Sequence, residues 1–566
     1  MAALLLNLLG VVAQIGTPRE TATDAIGSES GVITGRVVNE NGQPLPNARV
    51  SIRAATSSAE GRTVFTDRDG RFEITKLGPA AYEVSASLAA YTPLLQNDDS
   101  AGPTYYRDGD SVTLVLVKGG VITGTVTSQG GEPVVGVPVR AKLLNRKGRR
   151  PYAQFAAEAK TDDRGVYRLY GLAGGTYIVW AGGGGVDRSA LDPFDWDVPT
   201  YSPSSSSDTA ARIDVSVGQE TSNVDISYRG GPGRTISGRS IPDGFGIIFL
   251  SSADEGESRW EKIAHIEAGP EGFSFFGLDD GDYDLTAHVM VGKDMSLSEP
   301  RRIEVRGADV TGVELIPKPL GWISGRVVLR ESAKSKCADR RRPVFAETLV
   351  FAKPKEKSKS HSRFIPSPGF VSAADSQGHI ALKHLVSGQY YFDVQFEAKS
   401  WYLGSVNYAP ATIGGKTQPD KPSDASKVWT RIKPGDRLTG LTLTLAEGAA
   451  SFHGHIALTG EETLPEDLTV VLVPVEAENA DAALRYYLAA IARDGKITMK
   501  NLAPGRYWML AQSGLDEVQS GKLRLPDEAG ARRALRREAE AAGVEVEFKP
   551  CENVVEFPVP LKRPAL

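Results

Sequence analysis

Short runs in which apolar and polar residues alternate recur along the whole chain, and glycine, proline or aspartate bounds many of them. In one run Phe72 and Ile74 lie on either side of Glu73, and in another Tyr167 and Leu169 lie on either side of Arg168. A period of two is typical of a β-strand with one buried face, because successive side chains point to opposite sides of a sheet. The pattern therefore predicts a chain built mainly of β-sheets.

An opening strand with an inner glycine occurs five times. The copies read GVITGRVV, GVITGTVT, GRTISGRS, GWISGRVV and ASFHGHIA. Their inner glycines are Gly35, Gly124, Gly238, Gly325 and Gly454, which are separated by 89, 114, 87 and 129 residues. Spacings of this size suit a domain with loops of variable length better than a short solenoid repeat. Each copy is therefore predicted to be one domain.

A turn, a strand, a second turn and a second strand follow the opening strand in every copy. The first turn carries a glycine, which supplies the positive φ of a tight hairpin. These glycines are Gly70, Gly165, Gly272, Gly378 and Gly495. The second turn precedes a tyrosine in each copy, at Tyr82, Tyr177, Tyr283, Tyr390 and Tyr507. We interpret them as structural corner residues, which bury the ring and bond a backbone group through the hydroxyl.

Each copy ends in an alternating strand, and the next opening strand follows within a few residues. Linkers this short leave little room for independent motion, so a semi-rigid array is expected. The predicted units are a signal peptide and linker at 1–30, repeat 1 at 31–118, repeat 2 at 119–230, repeat 3 at 231–318, repeat 4 at 319–446 and repeat 5 at 447–566.

The first copy resembles the carboxypeptidase regulatory-like domain family in GRVVNENGQPLPNARVSI and TDRDGRFEITKLGPAAYEV. The second is similar in TSQGGEPVVGVPVRA and TDDRGVYRLYGL, and the other three keep the opening strand, the turn glycine and the tyrosine. The resemblance implies a seven-stranded Greek-key β-sandwich, related to transthyretin-like, collagen-adhesin B-type and starch-binding-like folds. The expected fold is all-β, a tandem array of about five such prealbumin-like or immunoglobulin-like sandwiches with short helical insertions in the last.

Two stretches of repeat 5 and one loop of repeat 2 depart from the sandwich pattern. Residues 478–492 and 526–542 are rich in alanine, leucine, arginine and glutamate, so both are predicted to be short helices. The loop 187–207 is long, aromatic and rich in serine, which favours a binding role. The aromatic residues predicted to contact a ligand are Tyr105, Phe194, Trp196, Tyr201 and Trp401.

The first residues indicate export. Residues 2–13 form an apolar run that suits a signal peptide and is too short to span a bilayer, although no lysine or arginine precedes Arg19. Cleavage is expected near Ala13, giving a secreted, periplasmic or cell-surface protein with no transmembrane anchor. The two cysteines, Cys337 and Cys551, are expected either to form one disulfide or to remain as two separate buried thiols.

The charge and the absence of known motifs limit the functions that the sequence allows. A net charge of -5 with 24% charged residues provides no basic footprint for nucleic acid or for a membrane surface. The sequence contains no H-E-x-x-H, G-x-S-x-G or P-loop motif. His453 and His455 share a strand face but bring no third metal ligand, and Asp67 and Asp69 suit a turn better than a calcium loop. We therefore predict no enzyme activity, no catalytic residues, no metal and no cofactor.

Three functions remain open. The main hypothesis is a non-catalytic exported scaffold whose loops bind an envelope or extracellular partner, either a protein or a polysaccharide. Carbohydrate binding through the loop aromatics is an alternative, since sugar faces stack on aromatic rings and the resemblance includes starch-binding-like folds. A third is an accessory subunit of a separate hydrolase, which the resemblance to a carboxypeptidase regulatory-like domain implies. The fold alone does not choose among them, because function lies in the sites that a fold carries.

Overall fold

The computed structural model describes residues 31–56, 61–93, 104–144, 157–183, 193–206, 209–252, 261–266, 272–332, 337, 341–355, 370–411, 423–457, 468–491, 495–512, 523–542 and 544–560. In these residues the strands form ten sheets, which lie in pairs along the chain. The predicted all-β tandem array of β-sandwiches is confirmed. The predicted signal peptide, with its cleavage near Ala13, lies outside the described residues.

Repeats 1 and 2 each contain two sheets. In repeat 1 the strands are β1 (Gly31–Val38), β2 (Arg49–Ala54), β3 (Arg62–Phe65), β4 (Arg71–Leu77), β5 (Tyr82–Ser87), β6 (Tyr91–Pro93) and β7 (Ser111–Lys118). They form the sheets β4-β1-β7-β6 and β3-β2-β5. In repeat 2 the strands are β8 (Gly120–Ser128), β9 (Pro138–Leu143), β10 (Ala157–Lys160), β11 (Val166–Leu172), β12 (Gly175–Ala181), β13 (Thr200–Tyr201), β14 (Ile213–Val215), β15 (Glu220–Thr221) and β16 (Ile226–Tyr228). Their sheets are β11-β8-β15, with β16 also on β8, and β10-β9-β12-β13, with β14 also on β12.

Repeat 3 follows the same plan with a larger second sheet. Its strands are β17 (Arg234–Ser240), β18 (Phe245–Ser252), β19 (Glu261–Ile266), β20 (Phe273–Leu278), β21 (Gly281–Val291), β22 (Asp294–Ser298), β23 (Arg301–Val305), β24 (Val310–Leu315) and β25 (Pro317–Pro319). The sheets are β20-β17-β24 and β19-β18-β21-β22-β25, with β23 also on β21.

Repeats 4 and 5 complete the array. Repeat 4 contains β26 (Gly321–Arg330), β27 (Leu349–Pro354), β28 (Val371–Ala373), β29 (His379–Leu385), β30 (Gly388–Gln395), β31 (Trp401–Ala411), β32 (Ser423–Asp424), β33 (Thr430–Ile432) and β34 (Arg437–Glu447). Repeat 5 contains β35 (Ala450–Ala457), β36 (Thr469–Pro474), β37 (Tyr487–Ala490), β38 (Lys496–Leu502), β39 (Gly505–Gln512), helix α1 (Ala529–Ala542), β40 (Glu545–Phe548) and β41 (Asn553–Pro560). The sheets are β29-β26-β34-β31-β32 and β28-β27-β30-β33, then β38-β35-β41 and β37-β36-β39-β40.

The opening strand is an inner strand of the first sheet in every repeat. The closing strand runs parallel to it on one side, and the strand after the turn glycine runs antiparallel on the other. Each pair of sheets encloses an apolar cluster of its own. The alternating pattern thus places one face of each opening strand in a core between two sheets.

The inner glycine of the opening strand lies where the closing strand passes nearest. A Cβ atom on Gly124 would overlap the carbonyl oxygen of Val224, and one on Gly325 would overlap that of Leu441. In repeats 2 to 5 the residue before this carbonyl has a positive φ, at Asn223, Gly312, Gly440 and Glu556. The closing strand therefore bends its carbonyl toward the opening strand, and a residue without a Cβ atom fits there.

The turn glycines have the predicted backbone conformation but do not form hairpins. Their φ values run from +63° to +82°. Yet β3 and β4, on either side of Gly70, belong to different sheets, so the chain crosses the sandwich at this turn. The carboxylate of Asp67 accepts the backbone N–H groups of Asp69 at 2.9 Å and Arg71 at 2.8 Å. The tight hairpin was a wrong prediction, because alternation does not reveal which sheet a strand joins.

Of the two helices predicted in repeat 5, the second is present in the structure and the first is not. Helix α1 (Ala529–Ala542) lies within the second predicted stretch, 526–542, and begins three residues after its start. The first stretch, 478–492, is not one helix, and its described part contains two 3-10 turns, Ala477–Asn479 and Ala483–Arg485, followed by β37. β37 pairs with β36, and the Tyr486 side chain before it is fully buried. Strand pairing and burial therefore outweigh the helix propensity of this alanine-rich segment, since propensity alone contributes little compared with tertiary contacts.

Candidate functional site

The structure buries three of the five aromatic residues that were predicted to contact a ligand. Tyr201 is 6% exposed, and its ring lies 5.5 Å from that of Trp180 between centroids. Tyr105 and Trp401 are 9% and 1% exposed. The expectation of exposed rings is wrong for these three residues, because each finds an apolar surface of the same chain to cover.

The remaining two aromatic residues lie in the 3-10 turn Pro193–Trp196, at the junction of repeats 2 and 3. Phe194 packs against Tyr228, with ring centroids 6.0 Å apart. Trp196 lies 4.0 Å from Phe276 of repeat 3 between centroids and is still 44% exposed. Residues 187–192 and 207 of the predicted binding loop lie outside the described residues. In the described part of the loop, Trp196 presents the largest exposed aromatic surface.

Tyr105 lies in a contact between repeat 1 and repeat 4, which are far apart in sequence. Leu349 and Phe351 of β27, with Val371 and Ala373 of β28, form an apolar patch on the outside of repeat 4. We call this patch the docking face. Repeat 1 covers it with the side chains of Ala55, Ala81 and Tyr105. Sequence reasoning missed this contact, because no local pattern indicates which distant domain will cover an apolar face.

Charged residues surround the same contact and line a cleft of about 450 Å³. The Arg107 side chain of repeat 1 is 5% exposed, and its Nη1 lies 3.3 Å from Oε1 of Glu397 in repeat 4. Arg107 Nε and Arg341 Nη2 lie 3.8 Å and 3.6 Å from Oε2 of Glu347. Burial raises the pKa of the Glu347 carboxyl, and the two arginines oppose that rise. The cleft therefore contains an ion network that spans two repeats.

Repeats 4 and 5 meet at a second junction. The side-chain amide of Asn501 donates hydrogen bonds to the carbonyl oxygens of Ala398 at 2.9 Å and Trp401 at 2.8 Å. Arg524 of repeat 5 lies 3.4 Å from Asp393 of repeat 4. Burial would raise the pKa of Asp393, but Arg524 and Lys353 hold it below its ordinary value. Asp393, Asn501 and Arg524 line a small cavity of about 180 Å³ to which both repeats contribute.

A disulfide between Cys337 and Cys551 ties the same two repeats together. The Sγ atoms are 2.01 Å apart and the Cα atoms 5.1 Å apart, across 214 residues of sequence. The Cα separation lies in the usual range for a disulfide. Cys337 follows the opening strand of repeat 4, and Cys551 precedes the closing strand of repeat 5, so the bond fixes two distant edges.

We expect both cysteines to resist alkylation in denatured, unreduced protein, because oxidised sulfurs do not react with the reagent. Intact-mass measurement after treatment should show an unmodified chain. Prior reduction should add two alkyl groups. Two added groups without reduction would contradict the bond and leave the alternative of two separate thiols.

The five corner tyrosines share one geometry. Each hydroxyl donates a hydrogen bond to the backbone carbonyl four residues earlier, at 2.6–2.9 Å. The acceptors are Gly78, Ala173, Asp279, Val386 and Ala503. All five rings are buried. Burial raises the hydroxyl pKa of Tyr82, Tyr177, Tyr390 and Tyr507 above the ordinary value. These tyrosines close a turn and occupy the core, and none lines either of the two cavities between repeats described above.

The candidate metal ligands do not come together with a third ligand. His453 and His455 are exposed on β35, and the nearest polar partner of His453 is the Thr498 hydroxyl at 3.4 Å. No cluster of three or more histidine, cysteine, aspartate or glutamate side chains suited to a metal occurs among the residues that the structure describes. Nor does any helix in the described ranges have the length and apolar character needed to cross a bilayer.

The fold and these contacts define a tandem β-sandwich protein whose neighbouring domains are held by side-chain contacts. Residues 32–102, which cover most of repeat 1, match the carboxypeptidase regulatory-like domain family. No curated protein matches the chain in sequence.

Several solved structures resemble the chain. The minor pilin of Streptococcus agalactiae is 11% identical, with 36% of this chain and 97% of the pilin covered and a TM-score of 0.20. Two B repeat units of the collagen-binding protein of Staphylococcus aureus are 12% identical, with 74% and 100% covered and a TM-score of 0.13. The Bacillus anthracis TIE protein is 11% identical, with 95% and 76% covered and a TM-score of 0.15.

Proposed function

We propose that the chain is an exported, non-catalytic scaffold that holds β-sandwich repeats at fixed spacing and presents their loops to an envelope or extracellular partner. The observation that carries this proposal is the direct contact at each junction between consecutive repeats. Trp196 meets Phe276 between repeats 2 and 3, Arg437 pairs with Asp294 at 2.9 Å between repeats 4 and 3, and the disulfide joins repeats 4 and 5. Contacts of this kind favour a fixed geometry over a flexible string.

The arrangement of polar groups supports a non-catalytic role. The corner tyrosine hydroxyls bond backbone carbonyls within their own turn, and the buried Arg107 and Arg140 pair with carboxylates. Such groups stabilise domains and junctions. They lack the nucleophile, base and orienting group that a hydrolytic site requires.

Carbohydrate binding is the weaker alternative. It depended on exposed aromatic rings, and Tyr105, Tyr201 and Trp401 are buried. Trp196 is the one member of the set that keeps a large exposed surface in the described residues. A sugar site at Trp196 would therefore have to use the face that is free of Phe276.

We expect labelled protein to bind washed envelopes of the native host in a saturable manner and to lose that binding when the envelopes are treated with protease. A glycan array should show no binding, and Trp196→Ala should bind envelopes as the original chain does. Binding to the glycan array that disappears in Trp196→Ala would favour the carbohydrate alternative. Absence of binding both to envelopes and to the secreted proteins of the host would contradict the scaffold proposal.

A further inference from the structure

The second sheet of repeat 4 is apolar on both of its faces. Val350 and Ala352 of β27 point into the core of the repeat. Leu349 and Phe351 point the opposite way, because successive residues of a strand face opposite sides. Leu349 is nevertheless only 1% exposed. The outer face of a sandwich sheet is usually solvated, so burial there requires a cover.

Repeat 1 supplies this cover. Its Ala81 and Tyr105 are buried in one cluster with Leu349, and Ala55 packs against the same cluster. The outer face of repeat 1 itself has no such character. Its β2 and β5 alternate, with Ser51, Arg53 and Ser85 outward, and Ser85 is exposed. An apolar outer face therefore distinguishes repeat 4 from repeat 1, and repeat 1 is the domain that covers it.

The ion network adds a polar part to this contact. Arg107 is almost fully buried between Glu347 and Glu397 of repeat 4, at 3.8 Å and 3.3 Å. A buried charge is costly unless an opposite charge accompanies it. Arg107 thus depends on repeat 4 for its counter-charges, and Glu347 depends on repeat 1 and Arg341. The charges require the two repeats to meet in one orientation.

Repeats 1 to 4 form a closed circuit of contacts. Gly119, at the start of repeat 2, donates a backbone hydrogen bond to Ala90 of repeat 1 at 2.8 Å. Trp196 and Phe276 join repeats 2 and 3, and Arg437 and Asp294 join repeats 3 and 4. The contact of repeat 1 with the docking face of repeat 4 then closes the circuit. An open string would need only the first three of these contacts.

We infer that repeat 1 is an intramolecular latch, which docks on the docking face of repeat 4 and closes repeats 1 to 4 into a compact ring. Releasing the latch lengthens the array without unfolding any sandwich, because each repeat has its own core. This inference extends the proposed scaffold function by setting the spacing at which the loops are presented. It concerns molecular shape, so it is tested separately from partner binding.

The first test is small-angle X-ray scattering of the full chain and of Phe351→Lys, which places a charge on the docking face. The radius of gyration of the variant should rise by more than about 10%, since a released domain makes a chain less compact. Phe65→Lys is the matched control, because Phe65 is a strand phenylalanine of repeat 1 that is 66% exposed. That control should scatter as the original chain does. Equal radii for all three proteins, with circular dichroism showing that all are folded, would overturn the latch.

The second test does not depend on opening the molecule. In an Arg107→Lys variant, a zero-length carbodiimide should form an amide between position 107 and Glu397, detectable as a linked peptide pair. Lys355 and Asp527, an ion pair between repeats 4 and 5, provide an internal standard in the same digest. The standard link without the 107–397 link would overturn the inference. Failure of envelope binding with both links present would instead remove the scaffold function and leave the latch.

Discussion

Replacing Gly124 with alanine is expected to destabilise repeat 2 by at least about 3 kcal/mol, the upper end of the usual range for an overpacked core. The new Cβ atom would overlap the carbonyl oxygen of Val224 in the closing strand. A backbone oxygen cannot rotate away as a side chain does, so β8 and the closing strand would have to separate. The parallel pairing of β8 with β16 would be lost with it.

Hydrogen exchange of the full chain measures this change repeat by repeat, which suits a protein whose domains unfold separately. Protection in peptides from β8 and β11 should fall by about a hundredfold or more, since about 1.4 kcal/mol corresponds to a factor of ten. Gly130→Ala is the matched control in the same repeat. Gly130 has ordinary φ, and the nearest atom to its added Cβ is the Ser128 hydroxyl at 3.6 Å. Similar protection in both variants would contradict the close approach of the two strands.

The features that sequence reasoning predicted well depend on contacts inside one repeat. The turn glycines need a positive φ because of the turn they occupy, and the tyrosine hydroxyls reach a carbonyl four residues away. Local chemistry of this kind is repeated wherever the segment is repeated. The opening strand and its glycine could be recognised in copies whose other residues have diverged, because the closing strand of the same repeat approaches that glycine in each copy.

The segment that covers the outer face of each second sheet could not be predicted, although the sequence does indicate which strands are buried on both sides. β2 alternates as RVSIRA and has a polar outer face, whereas β27 and β36 read LVFAKP and TVVLVP. A continuous apolar run indicates a strand buried on both sides. It does not identify the cover, which is repeat 1 for β27 and helix α1 for β36. Tyr105 was misassigned for this reason, since its environment is formed by a domain more than two hundred residues away.

The burial of aromatic residues in the predicted binding loop could not be predicted for the same reason. An aromatic residue between turn-forming residues has the sequence pattern of an exposed site, and the structure places Tyr201 on Trp180 of its own domain. The cost of exposing a large ring favours any nearby apolar surface. Phe276 covers one side of the Trp196 ring, and part of the remaining surface stays in solvent.

Replacing Tyr177 with alanine is expected to destabilise repeat 2 by about 3 to 5 kcal/mol, as for other large aromatic truncations in cores. The ring is fully buried in the core of the repeat, and its hydroxyl donates to the Ala173 carbonyl at 2.8 Å. Tyr177→Phe keeps the ring and removes the hydrogen bond, so the loss should be about 1 kcal/mol. Tyr170→Ala, at a residue of the same repeat that is 57% exposed, should change the stability by about 0.5 kcal/mol or less.

The pH dependence of folding stability distinguishes the contribution of the Tyr177 hydroxyl from that of its ring. Burial raises the pKa of Tyr177 in the folded state, whereas an unfolded chain ionises near the ordinary value of 10.0. The stability linked to this group is therefore fully present below that pH and is lost progressively as the pH rises above it. Tyr177→Phe should lose less stability than the original chain over that alkaline range, as measured by the protection of β9 and β12 peptides at matched exchange rates. An equal alkaline loss in both proteins, or an alanine variant destabilised by less than about 1 kcal/mol, would contradict a buried corner tyrosine.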